Sequence, residues 1–167
     1  VLDDKLQEPK KPELDIYHIA RRFDRFVVAG TRFELDEISK STGVSIQTLD
    51  DMEKALETDF EKALHNTRLA CVKSTLAYQR ALDFGKPSRA DAERDFEKVA
   101  GNQAQPKPLN DPAIDRYEAS TNIPTRNLQD YIFRRILGLV NEYKLPMQIH
   151  TGYQISNNVV QNSNPLH

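Results

Sequence analysis

The sequence predicts an α/β chain built on a parallel sheet, amounting to about half of a (β/α)8 barrel. Three observations predict it. Short apolar runs alternate with segments of helical period, which is the pattern of βαβ units. The apolar runs are near-continuous, as strands covered on both faces are, yet three of them end in polar groups. Finally, the strand candidates and one long insertion fill 167 residues, whereas a complete barrel takes about 250.

The elements follow in order. Val1-Leu2, ahead of two aspartates, reads as the tail of a strand. After Pro12, the spacing of Ile16, Tyr17, Ala20 and Phe23 predicts a helix. The run from Phe26 to Glu34 predicts a strand that ends in polar residues. Thr48 is placed to cap a helix in which Met52, Leu56, Phe60 and Leu64 form one apolar face. Leu69–Ser74 is the next strand. Ser88 caps a helix that carries Phe96 and Val99 and ends at Gly101. Residues 102–126 are rich in Pro, Asn and Gln and read as a loop or insertion, with a short helix near 112–119. Leu128, Tyr131, Ile132, Ile136, Leu139, Val140 and Tyr143 then mark the clearest helix, with Arg135 as the one polar residue in the stripe. Pro146 sets a boundary, Met147–His150 is a short strand, and the Asn- and Ser-rich tail from Gly152 is a loop. The whole chain, 1–167, reads as a single partial barrel domain.

Composition excludes several partner classes. Hydrophobic residues make up 38% and charged residues 29%, with a net charge of -2 and a pI near 6.1. There is no basic footprint for nucleic acid and no polybasic segment or apolar run for a membrane. Cys71 is the only cysteine, so no internal disulfide is possible. The opening Val-Leu-Asp-Asp lacks the features of a signal peptide. These readings predict a cytoplasmic protein acting on a small-molecule substrate. The chain lacks an initiator Met and a closing element, and is expected to be a central fragment of a longer protein.

The residues that can carry chemistry sit at strand ends, where barrel active sites are built. His150 follows Ile149 and precedes Thr151-Gly152, a turn that allows close backbone approach to a ligand. It reads as a metal ligand or as a hydrogen-bonding strand-end histidine. Lys73 ends another strand. It reads as a Schiff-base or general-base lysine, as a carbamylated bridging ligand, or as the partner of a carboxylate such as Glu34. Arg32 and Glu34, on one face of the predicted 26–34 strand, can bind a substrate carboxylate or pair structurally. Tyr78 and Arg80 follow Lys73 and border the same region, or begin the next helix. His18 and His65 fall in helical stretches as surface or packing residues. Cys71 reads as a packed small residue.

The segment Leu145-Pro-Met-Gln-Ile-His-Thr-Gly152, followed by Asn162-Ser-Asn-Pro-Leu-His167, resembles the fifth-strand region of the amidohydrolase superfamily. It is closest to the branch that includes nodulin-like, glutamine-synthetase-associated domains. Val72-Lys73-Ser74-Thr-Leu-Ala-Tyr78 resembles that branch's fourth-strand pattern, and Thr31-Arg32-Phe33-Glu34 its third-strand Arg-x-Glu. The resemblance implies strands two to five of a TIM barrel, with a mono- or dinuclear centre of a divalent metal: zinc, or else manganese or iron. It implies His150 as a metal ligand and Lys73 as a catalytic group, with Arg32, Glu34, Tyr78 and Arg80 at the substrate. The first-strand His-x-His pair, the sixth-strand His and the eighth-strand Asp are absent from this chain, and Gln79 stands where the branch often has Arg. One imidazole falls short of the usual three or so protein ligands, so the chain alone is expected to be inactive.

The function implied is hydrolysis of an amide or other C–N or C–O bond by a metal-activated water. A decarboxylase or uronate-type isomerase on the same barrel is the alternative. A third reading is a non-catalytic half-barrel that self-associates as a homo-oligomer, because half a barrel exposes two sheet edges.

Overall fold

The computed structural model describes residues 2–3, 18–66, 68–104 and 125–151. The 112–119 helix, Gly152 and the Asn162–His167 segment lie outside the described residues. Four strands, β1 (Leu2–Asp3), β2 (His18–Arg22), β3 (Leu69–Ser74) and β4 (Met147–Ile149), form one sheet in the order β1-β2-β3-β4. Every neighbouring pair is parallel. Sequential order with parallel pairing requires each crossover to travel the same way around the sheet. Those crossovers contain the helices: α1 (Asp24–Val28), α2 (Arg32–Thr42) and α3 (Leu49–Asn66) between β2 and β3, then α4 (Arg89–Gly101) and α5 (Arg126–Glu142) between β3 and β4. The chain is thus a mixed α/β structure on a parallel sheet, as the sequence predicts.

One stretch is corrected. His18 and Ala20, placed in a helix by the sequence reading, lie in strand β2, and the part of that predicted helix before His18 lies outside the described residues. The predicted strand Phe26–Glu34 is two helices joined at Ala29-Gly30-Thr31. The cause is local. Thr31 is extended, and its hydroxyl accepts from the Glu34 N–H. The Glu34 carboxylate reaches back to the Gly30 N–H at 2.8 Å and the Thr31 hydroxyl at 3.1 Å. This reciprocal Thr-x-x-Glu arrangement satisfies N–H groups at the start of α2. Phe26 and Val27, fully buried, reach the core from α1 instead of from a strand. Gly43, with φ of 80°, ends α2 in the left-handed conformation, donating to the Ser39 carbonyl.

The remaining elements match their periodicities. Met52, Leu56 and Phe60 of α3 are buried, and Phe60 stacks on Phe23 at 4.8 Å between ring centroids. Leu128, Ile132 and Ile136 of α5 are buried, and Leu139 and Val140 nearly so. Ser88 caps α4 with Asp91 in a full capping box. At the far end of α4, Asn102 accepts from the Arg32 N–H with its carbonyl and donates from its side-chain amide to the Gly30 carbonyl, each at 2.8 Å. The end of α4 is thereby fixed to the start of α2.

The core lies between the helices and one face of the sheet. Val72 of β3 belongs to it and Met147 of β4 packs against it, while Arg21 of β2 reaches Asp59 of α3 at 3.2 Å. Alternation therefore assigns the other face to Ala20 and Arg22, Cys71 and Lys73, and Gln148.

Candidate active site at the strand ends

The register sharpens that assignment. Arg22 pairs with Lys73, and Lys73 with Gln148. The three side chains form one row across the sheet, on the face opposite the helices and at the carboxyl ends of the strands. The ladder continues one residue further, because the His150 N–H donates to the Ser74 carbonyl at 2.9 Å. By alternation, His150 falls on the Lys73 side, just past the end of β4. Arg22, Lys73 and His150 are half-buried.

A hydrogen-bonded cluster ties the ends of β2 and β3 together beside this row. Asp24 is buried. Its carboxylate accepts from the Thr75 N–H at 2.6 Å and the Thr75 hydroxyl at 3.0 Å. Arg22 Nη1 donates to the same hydroxyl at 3.4 Å. Burial pushes the Asp24 carboxyl above the usual aspartate range, while bonds from Thr75 and Ser74 and the Arg22 charge pull the other way.

The sequence-predicted residues divide in two. Lys73 and His150 lie at strand ends, as expected, and Lys73 has no carboxylate partner among the described residues. In particular it does not pair with Glu34, whose carboxylate is committed to Gly30 and Thr31. The placement of Arg32 and Glu34 on a strand is corrected. Both lie in the first turn of α2, and Arg32 binds Asp36 one turn on at 2.7 Å. Arg80 is tied to α5. Its guanidinium binds Asp130 at 2.6 Å and Gln129 at 2.9 Å, and lies over the Phe84 ring. Tyr78 ends the short 3-10 turn Leu76–Tyr78. Arg22 and Asp24 were missed, because the sequence reading put a helix where β2 lies. The Arg-Arg-Phe-Asp run straight after Ile19-Ala20 was the available signal.

Among the described residues no group of three His, Cys, Asp or Glu side chains stands close enough to hold a metal. A separate cleft of about 330 Å³ runs between α4 and the start of α3, lined by Thr48, Asp50, Arg89 and Glu93 among others. Arg89 already pairs there with Asp50, Glu53 and Glu93. No helix among the described residues is long and apolar enough to cross a membrane.

No family model and no curated protein matches the chain. Solved structures do match its fold. One is a protein from Lactobacillus casei ATCC 334 described as a metal-dependent hydrolase. It superposes with a TM-score of 0.59 at 17% identity, over 90% of this chain and 32% of that one. Another is a uronate isomerase from Thermotoga maritima, with a TM-score of 0.57 at 13% identity, over 81% of this chain and 27% of that one. The chain thus spans about a third or less of the length of the proteins it resembles, and at this identity the likeness is one of fold.

Proposed function

We propose that this chain is the strand-two-to-five portion of a (β/α)8 barrel of the amidohydrolase superfamily, and that the barrel is a metal-dependent hydrolase of an amide or other C–N or C–O bond in a small-molecule substrate. The observation that carries this is the polar row at the carboxyl ends of sequentially ordered parallel strands, with His150 directly beyond it. In barrels that end of the sheet is where chemistry is done. Support comes from the fold shared with a metal-dependent hydrolase over nine-tenths of the chain. In this reading His150 supplies one ligand to a divalent metal, zinc in the first instance. The other ligands come from outside the described residues, which cannot complete a site by themselves. Lys73 faces the substrate as a catalytic group.

The test is metal content and turnover of the whole protein that carries this chain, with and without His150→Ala. The expected result is loss of stoichiometric metal and of hydrolysis across a panel of amides and lactones. Retention of both in the variant overturns the reading. The fold shared with a uronate isomerase supports a second reading, aldose–ketose isomerisation on the same barrel. Including uronates in the panel separates the two.

A further inference from the structure

We propose that Gln79 is a substrate-binding residue and that the group it binds is a carboxamide. Gln79 stands in the loop that follows the carboxyl end of β3. Its side-chain Oε1 is buried and accepts no hydrogen bond among the described residues. A buried polar atom without a partner carries a desolvation cost, and most such atoms in folded proteins are paired. This exception falls in a strand-end loop, where barrels meet their substrates, and the missing partner is therefore assigned to the ligand.

The surroundings argue against two structural explanations. Gln79 is not a loose surface residue. On one side, Leu76 and Ala77 are buried in the core, and the Gln79 N–H donates to the Leu76 carbonyl at 2.8 Å. On the other, Arg80 is held to Gln129 and Asp130 of α5. Nor does the adjacent guanidinium serve Gln79. Its Nε donates to the Ala81 carbonyl at 3.1 Å, and its terminal nitrogens donate to Gln129 and Asp130. The backbone at Gln79 is fixed on both sides while the capacity of its side chain is unspent.

The chemistry of the group sets what it recognises. A carboxamide is neutral and carries an acceptor and a donor side by side. Its complement is a group with the same two features adjacent, which is another carboxamide, joined by two hydrogen bonds. An ester or lactone has no N–H and leaves the buried oxygen unmet. The inference rests on the hydrolase reading in taking this end of the sheet as the one substrate reaches, and it narrows the bond acted on to an amide.

The test is NMR titration of the nitrogen-labelled whole protein that carries this chain, with γ-butyrolactam and γ-butyrolactone as probes and a chelator present. The two rings differ only in an N–H against an oxygen. The lactam should shift the Gln79 side-chain amide signal, identified by its loss in Gln79→Met, and the lactone should bind about tenfold more weakly. Gln79→Met should abolish that preference. Its urea midpoint should be no lower than that of the wild type, because an apolar group of similar shape replaces an orphaned polar one. An unmoved Gln79 signal, lactone binding as tight as lactam binding, a preference retained in Gln79→Met, or a lowered midpoint in that variant each overturns the proposal. The wild-type comparison of the two probes needs no variant. Neither metal nor turnover enters, so failure here with metal-dependent hydrolysis intact is distinct from failure of the hydrolase reading.

Discussion

Arg80 is the residue for which a structural role and a site role predict opposite results. Its guanidinium is one-tenth exposed and Asp130 is more deeply buried still. They meet at 2.6 Å. The second Asp130 oxygen accepts from the Gly85 N–H at 2.8 Å, and Phe84, beneath the guanidinium at 4.4 Å, stacks on Phe133. The pair thus joins the loop after β3 to α5. Burial lowers the affinity of the guanidinium for its proton and Asp130 opposes that effect, which marks the charge as dependent on its partner. Removing one member of such a pair costs about 3–5 kcal/mol, less on the Arg80 side, where Arg126 still stands 3.9 Å from the second Asp130 oxygen. Asp130→Ala should lie at the upper end, because it also removes the acceptor for Gly85. Against a total stability of about 5–15 kcal/mol, and a urea slope of about 1–3 kcal/mol per molar, the unfolding midpoint should fall by one to several molar. Arg80→Met combined with Asp130→Leu should recover part of the loss, since a well-packed apolar pair replaces a buried ion pair at little net cost while the Gly85 N–H still lacks its acceptor. Urea unfolding followed by circular dichroism measures all four proteins. Single variants that each lose less than about 1 kcal/mol, or a double variant as unstable as the sum of the singles, refute the reasoning. They would return Arg80 to the list of residues available to a substrate.

Three further outcomes follow from the fold. Phe60→Ala, at a fully buried position stacked on Phe23 and 5.5 Å from the Tyr143 ring, should cost about 3–5 kcal/mol in thermal or urea unfolding. Thr31→Ala removes the side-chain cap of α2 and should cost about 1 kcal/mol; no measurable loss would favour a strand through this segment. The third concerns pH. The folded pKa of Asp24 is raised by burial, so between its unfolded and folded values the native state binds more protons. Stability from this group is then present below its ordinary pKa of 3.8, and is lost as pH rises through the raised value. Wild type minus Asp24→Asn, measured by urea unfolding across the acid range, should show that falling difference; a difference that rises with pH contradicts the burial of the carboxyl.

Most of the framework was legible because burial imposes a period. Met52, Leu56 and Phe60 recur every four residues because one face of α3 meets the core, and the α5 stripe does the same over a longer run. Arg135 interrupts that stripe without breaking the helix, since it leaves the core to pair with Glu57 of α3. Lys73 and His150 were legible as polar residues closing apolar strands. The stretch from 18 to 34 was not, for two reasons. Strand β2 has the sequence His-Ile-Ala-Arg-Arg, whose charges serve opposite faces: Arg21 reaches Asp59 behind the sheet and Arg22 lies in the Lys73 row. No apolar run announces such a strand. Helix α1, only five residues long, is too short to display a period, and its β-branched Val27-Val28 imitates a strand. The Thr-x-x-Glu at 31–34 is a helix-start signature that outweighs this local propensity, and it is of the same kind as those at Thr48-x-x-Asp51 and Ser88-x-x-Asp91.

Correcting that stretch changes the chemistry more than the fold. With the strand at 26–34, the cation available to a substrate is Arg32 and the acid is Glu34. With the strand at 18–22, Arg32 is tied to Asp36 and Glu34 to the cap, and the strand-end groups become Arg22 and Asp24. Both arrangements pair an arginine with a carboxylate two residues later, which is why the sequence supports either one. Only the second puts the arginine in register with Lys73. The carboxylate also changes role. Glu34 faces its own backbone, whereas Asp24 crosses from the end of β2 to Thr75 at the end of β3. A residue that binds two strand ends together holds their side chains at a fixed separation. A helix cap, which binds only its own backbone, provides no such constraint.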